Sequence, residues 1–266
     1  MACAQDAAIA LRSGVGAHSG APIVNAGSVD AVVSGHLLRG GSRSPLLDLV
    51  RLTRVLRGAG ECEEPVEVIA TPADTPYLCG VAGAAGLRIC PLSPMRAHPL
   101  GQGRPPAELA SALRAVTARV VLVSLTLGGG PVDGLRAALD DAADLLVVAA
   151  SGPPSPLTAH PDVLPVRSCT PSGRPSWFVD LDEDDDPRGL LAPGEDVPGP
   201  RGPATGNGVA AAVVAATAAL LWSRFPTADA RTVRAALRIG TTPTRRIGPP
   251  VLDAERSLEF LRQYAP

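Results

Sequence analysis

The sequence predicts an α/β protein built on a mostly parallel central sheet with helices on both faces. Two runs, Val120–Leu125 (VVLVSL) and Leu145–Ala150 (LLVVAA), are continuously aliphatic, as strands are when both faces are covered. Amphipathic stretches of helical period separate such runs. One segment, Val209–Arg224, is apolar on every side, which marks a helix enclosed by the core. Strands alternating with helices pair in parallel through crossover connections.

Taken in order, Ala8–Leu11 is a short apolar run that ends at Ser13-Gly14, a strand followed by a turn. Pro45–Arg57 sets Leu46, Leu49, Val50 and Val55 near one helical face. Val66–Ala70 (VEVIA) and Leu87–Leu92 (LRICPL) are strand candidates. Helices are expected over Pro106–Ala118 and Val132–Ala143, flanking the VVLVSL strand, and Val163–Arg167 is a weaker strand. After the apolar helix, Pro226 breaks the chain and Thr227 is placed to cap a helix reaching Arg238. No repeat or linker interrupts the pattern, so residues 1–266 read as one domain. The acidic run Asp180–Asp186 reads as a solvated surface loop, not a calcium site.

Composition narrows the function. Aromatic residues are 3% of the chain, so Ala, Val and Leu must fill the core. All 24 basic residues are arginine, which removes lysine as a general base, Schiff-base former or phosphate ligand. A net charge of -2 gives no electrostatic case for nucleic acid or an anionic membrane. The apolar run Val209–Trp222 is too short for a bilayer, and the first residues lack a basic segment leading into an apolar one, so a cytoplasmic location is expected. Cys3, Cys62, Cys79, Cys90 and Cys169 are odd in number and lack CxxC spacing, so they read as reduced, buried thiols. His18, His98 and His160 adjoin Ser or Pro and read as loop residues, and four scattered histidines make no zinc site. No cofactor is expected.

Several segments carry a resemblance in their order along the chain. Ile9–Val15 (IALRSGV), Gly80–Leu92 (GVAGAAGLRICPL), Val123–Gly129 (VSLTLGG), Leu146–Pro153 (LVVAASGP), His160–Phe178, Leu191–Val197 (LAPGEDV), Gly206–Leu221 (GNGVAAAVVAATAALL), Thr227–Leu237 and Gly248–Leu258 are similar to successive motifs of the subtilisin-like serine proteases. The resemblance implies a subtilisin-like three-layer fold. It also places the family's functional positions on this chain. The aspartate that orients the histidine base falls on Arg12, the nucleophilic serine on Gly208, and the oxyanion asparagine on Pro153.

None of these three can do the work. A guanidinium cannot accept an imidazole N–H and repels the imidazolium formed during reaction. Glycine has no attacking group, and proline has neither a side-chain donor nor an N–H. His36 stands at a suitable distance after Arg12 to be a relic of the base. It is otherwise an incidental loop histidine, since Leu37–Gly41 does not continue the motif. The resemblance therefore implies a catalytically degenerate homologue, leaning away from an enzyme.

A peptide groove needs no catalytic triad, because extended ligands add as strands to free backbone edges. The resemblance puts that groove beside Leu125, Gly128, Gly129 and Gly130 on one side and Ala150, Ser151 and Gly152 on the other. The expected partner is a peptide or protein, such as a precursor peptide or an active protease. Two alternatives stay open. One is an active serine endopeptidase using His36 with a displaced Ser or Thr, Thr205 included. The other is nucleotide binding at Gly80–Gly86 or at Gly206-Asn207-Gly208.

Overall fold

A computed structural model of the chain describes residues 66–70, 78, 89–91, 103, 105–170, 172–179, 188–197, 203–239 and 248–265. The expected strand at Ala8–Leu11, the helix at Pro45–Arg57, the acidic run, Arg12, His36 and Gly80–Gly86 lie outside these residues. Six strands are described: β1 (Val66–Ala70), β2 (Ile89–Pro91), β3 (Val120–Ser124), β4 (Leu146–Ala150), β5 (Val163–Cys169) and β6 (Leu190–Pro193). Five helices accompany them: α1 (Pro106–Arg114), α2 (Asp133–Asp140), α3 (Asn207–Arg224), α4 (Ala230–Leu237) and α5 (Ala254–Tyr264).

The strands form one sheet in the order β2-β1-β3-β4-β5-β6, and every pairing among them is parallel. The aliphatic runs supply both faces because successive side chains point to opposite sides of a strand. One face turns Val66, Val68, Val120, Leu122, Leu146 and Val148 toward α3, α4 and α5. The other turns Ile69, Val121, Val123, Val147 and Ala149 toward α1 and α2. The result is the three-layer α/β arrangement that the sequence predicts.

Helix α3 is the axis of the larger layer. All fourteen residues from Val209 to Trp222 are buried, most of them alanine and valine, so the helix backbone can lie close to the sheet. At its lower end Trp222 is 1% exposed. Its indole N–H donates to the Ala228 carbonyl at 2.7 Å, and the Arg119 guanidinium sits 4.6 Å over the ring, a cation–π contact. Arg119 also donates to the Pro226 carbonyl, tying the turn after α3 to the start of β3.

One expectation needs correction. Thr227 is not the cap of α4. The helix begins at Ala230, and the carboxylate of Asp229 accepts the Thr232 N–H at 2.6 Å, because a cap must stand immediately before the first helical turn. His160 lies in the turn before β5, a loop residue as expected, and is 6% exposed. Its Nε2 meets Asp140 Oδ1 at 3.1 Å while Nδ1 accepts the Asp162 N–H. It joins the end of α2 to the start of β5, where a satisfied buried imidazole has a packing role. The strand β6 and the helix α5, capped by Asp253, stand where only motif likenesses are legible in the sequence. Leu191 of β6 accepts the Leu252 N–H and donates to Pro250 O, forming a further parallel bridge between Leu191 and Val251.

The Thr232 bonds hold the Asp229 carboxyl below its ordinary 3.8. Its folded-state pKa is depressed, so its contribution is present at neutral pH and fades as pH falls through that lowered value. Asp229→Ala is expected to cost about 1 kcal/mol of stability. Urea titrations should show the gap between variant and wild type shrinking as the buffer is taken from about pH 6 to about pH 3.

Candidate functional site

In open parallel sheets, ligands bind beyond the carboxyl ends of the strands, where the strand order reverses. Here the reversal lies at β1, since β2 extends the sheet on one side of it and β3 begins the other. A cleft of about 370 Å³ opens at this place. Its walls include Leu78, which follows β1, Ser124 at the end of β3, and Thr205, Gly206, Gly208 and Val209 around the start of α3.

The start of α3 is fixed by Asn207. Its Oδ1 accepts the Ser168 N–H at 2.8 Å, and its Nδ2 donates to the Ser151 carbonyl. One side chain therefore bridges the ends of β4 and β5 and sets the helix over them. Gly206, at φ 151°, takes the turn into the helix in a backbone region that side chains rarely enter. Its N–H donates to the Gly194 carbonyl at 2.8 Å. Gly194 is enclosed: a β-carbon there would fall 2.6 Å from Ser168 Oγ, 2.8 Å from Gly206 O and 2.9 Å from Ala210 Cβ. Below it, the hydroxyls of Ser168 and Ser176 share a buried hydrogen bond of 2.7 Å.

Gly208 lies in the first turn of α3 and faces Ser124 across the cleft. A β-carbon added at Gly208 would fall 2.5 Å from Ser124 Oγ. A side chain at this position would require the Ser124 hydroxyl to turn aside. Sequence reasoning passed over Ser124, Leu78 and the bridging amide of Asn207. The available signal for Ser124 was a single hydroxyl ending an otherwise aliphatic strand.

The remaining expected site residues surround this point unevenly. Pro153 is exposed, two residues beyond Ser151. Ala150 is half-buried and Gly152 exposed. The Ser151 N–H already donates to Val166 O at 2.8 Å, and its carbonyl receives Asn207, so this residue has little backbone to offer a strand-like ligand. Leu125 packs against the α1–α2 layer. Gly128 is half-buried and held against Gly103 of the same chain, whereas Gly129 and Gly130 are exposed. Thr205 stands at the rim before the helix, and its hydroxyl oxygen accepts the Asp196 N–H at 3.0 Å.

No titratable base among the described residues lines this cleft, and no three His, Cys, Asp or Glu side chains among them converge as a metal site would require. Cys169 is fully buried at the end of β5. Burial first, and then the Glu195 carboxylate, push its thiol up to about 12, so at neutral pH it is a small protonated hydrophobe and not a nucleophile. The Gly206-Asn207-Gly208 stretch opens a helix, but the Asn207 side chain and the Gly206 N–H are already committed to the protein itself.

No protein-family model matches the chain, and no curated protein matches it in sequence. Solved structures do match. The chain is similar to the prenylagaramide maturation protease PagA, with 21% identity over 79% of this chain and 98% of that one, at a TM-score of 0.61. It is similar to the PatG macrocyclase solved in complex with peptide, with 18% identity over 79% and 95%, at 0.60. MycP1 from Mycobacterium smegmatis matches with 18% identity over 82% and 84%, at 0.58. The chain has the fold of the subtilisin-like proteases.

Proposed function

We propose that this protein is a non-catalytic member of the subtilisin-like fold that holds an extended peptide in a regulatory or scaffolding role. The observation that carries the reading is the pairing of Gly208 with Ser124. Glycine at 208 offers no side chain to attack, and the Ser124 hydroxyl stands 2.5 Å from where one would begin. Arg12 and Pro153, in the positions that the family resemblance gives to the orienting acid and the oxyanion donor, support the same conclusion. The PatG structure, described as a macrocyclase in complex with peptide, supports peptide as the ligand class. A precursor peptide or an active protease is the partner that this reading favours, in the cytoplasm.

A second reading, an active endopeptidase with displaced residues, draws on one observation: Ser124 presents a hydroxyl to the cleft. A fluorophosphonate probe followed by intact-mass measurement separates the two. The folded wild-type protein and the Gly208→Ser variant are both expected to remain unlabelled. Labelling of the wild type at Ser124 or Thr205 establishes the second reading. Labelling of Gly208→Ser alone shows that a working base and orienting acid persist, against the assignment of Arg12.

A further inference from the structure

The chain has two tryptophans. One is the enclosed Trp222. The other, Trp177, is 86% exposed, more than any other large apolar side chain among the described residues. It does not stand on a slack loop. Past β5 the chain folds back through an antiparallel bridge between Cys169 and Pro175, and the Thr170 N–H donates to Arg174 O at 2.7 Å. Ser176, 2% exposed, is bound to Ser168 through its hydroxyl and through its N–H, which donates to Ser168 O at 3.1 Å. The Val179 N–H then closes a turn on Ser176 O at 2.8 Å, with Trp177 and Phe178 at its tip. Phe178 meets the indole in a T-shaped contact of 5.4 Å. An aromatic ring already fixed in place gives up little freedom on binding, which suits it to anchor a partner.

Charge selects the partner. Glu195 and Asp196 follow β6, which pairs with β5 up to Cys169, and the Glu195 carboxylate acts on Cys169 at the base of this turn. Three residues beyond Trp177 the sequence enters Asp180–Asp186, in which every residue but Leu181 is acidic. Arg174 and Arg188 are the basic residues flanking this stretch, so acid predominates. We propose that Trp177 anchors a docking surface for an arginine-bearing segment of a partner protein. A guanidinium is drawn to an indole face, as Arg119 is to Trp222 within this chain, and the neighbouring carboxylates attract the same cation at longer range. Trp177 is not among the residues that line the cleft at α3, so this surface is separate from the peptide-holding reading and stands or falls without it.

The test titrates the full chain into two fluorescein-labelled octapeptides, one alternating Arg and Gly and the other alternating Glu and Gly, and reads fluorescence anisotropy. The arginine peptide is expected to bind and the glutamate peptide not to. Trp177→Ala should weaken arginine-peptide binding about tenfold, and Trp177→Phe, which keeps an aromatic face, should recover part of the loss. Raising salt from about 0.1 M to about 0.5 M should weaken the wild-type complex as its charge contribution is screened. Because Trp177 is exposed, both variants are expected to melt with the wild type, which calorimetry checks. Absence of arginine-peptide binding overturns the proposal. So does equal binding by wild type and a folded Trp177→Ala protein, which would leave only diffuse attraction to the acidic run, and so does equal binding of the two peptides. Self-association of the wild type that Trp177→Ala abolishes, with no arginine peptide bound, overturns it in favour of a second copy of this chain as the occupant.

Discussion

Trp222→Ala should lower the melting temperature by roughly 10 °C, the largest loss expected from any single change to the described core. A buried tryptophan cut back to alanine costs about 4 kcal/mol through lost transfer energy and the cavity left behind. In a domain of this size each kcal/mol is worth about 2–4 °C. The indole does more than fill space here. Its N–H satisfies the Ala228 carbonyl in the turn toward α4, and its face holds Arg119 at the start of β3. Trp222→Phe keeps the aromatic bulk but not the donor, and should cost about 1–2 kcal/mol, as expected when a buried acceptor loses its partner. Differential scanning calorimetry checks both. A melting temperature within about 2 °C of wild type for the alanine variant contradicts the enclosure of this ring.

Gly194→Ala is the second. Alanine is usually the gentlest substitution for glycine, and at an unstrained backbone position it can stabilise. At this place its methyl would meet three neighbours closer than van der Waals contact permits, one of them the Gly206 carbonyl. Overpacking of this kind costs about 3 kcal/mol. The strain would fall on the turn that leads α3 into the cleft, since Gly206 donates to Gly194 O. Adding Ser168→Ala relieves only one of the three contacts, so the double variant is expected to stay well below wild type in urea midpoint. Full recovery would show that the Ser168 hydroxyl alone was in the way, and that the turn tolerates a side chain at 194.

The layered fold was legible because a two-sided parallel sheet leaves an unmistakable trace: VVLVSL and LLVVAA have no polar face to hide. The all-apolar α3 was legible for the same reason. Helix starts were less so, because a cap is decided by geometry over one or two residues. Thr227 and Asp229 are both good capping residues, and only the position of the first turn chooses between them. Strand β6 was read as a motif and not as a strand, since LLAP is four residues ending in proline. The site divided differently. Gly208 could be found by its place in a motif, but the answering position of Ser124 lies 84 residues earlier on another element, and nothing local joins the two. The Gly103 contact was invisible for the same reason, because glycine at 103 reads as ordinary loop chemistry until the backbone of Gly128 is known to lie against it.

The bridge from Leu191 to residues 250–252 has a consequence for biosynthesis. While the ribosome is still adding α3 and α4, the outer backbone edge of β6 at Leu191 lacks the Pro250 carbonyl and the Leu252 amide that close it. A parallel sheet already depends on slow, long-range pairing. A nascent chain stopped before residue 250 would carry an open hydrogen-bonding edge, the kind that recruits other chains into aggregates.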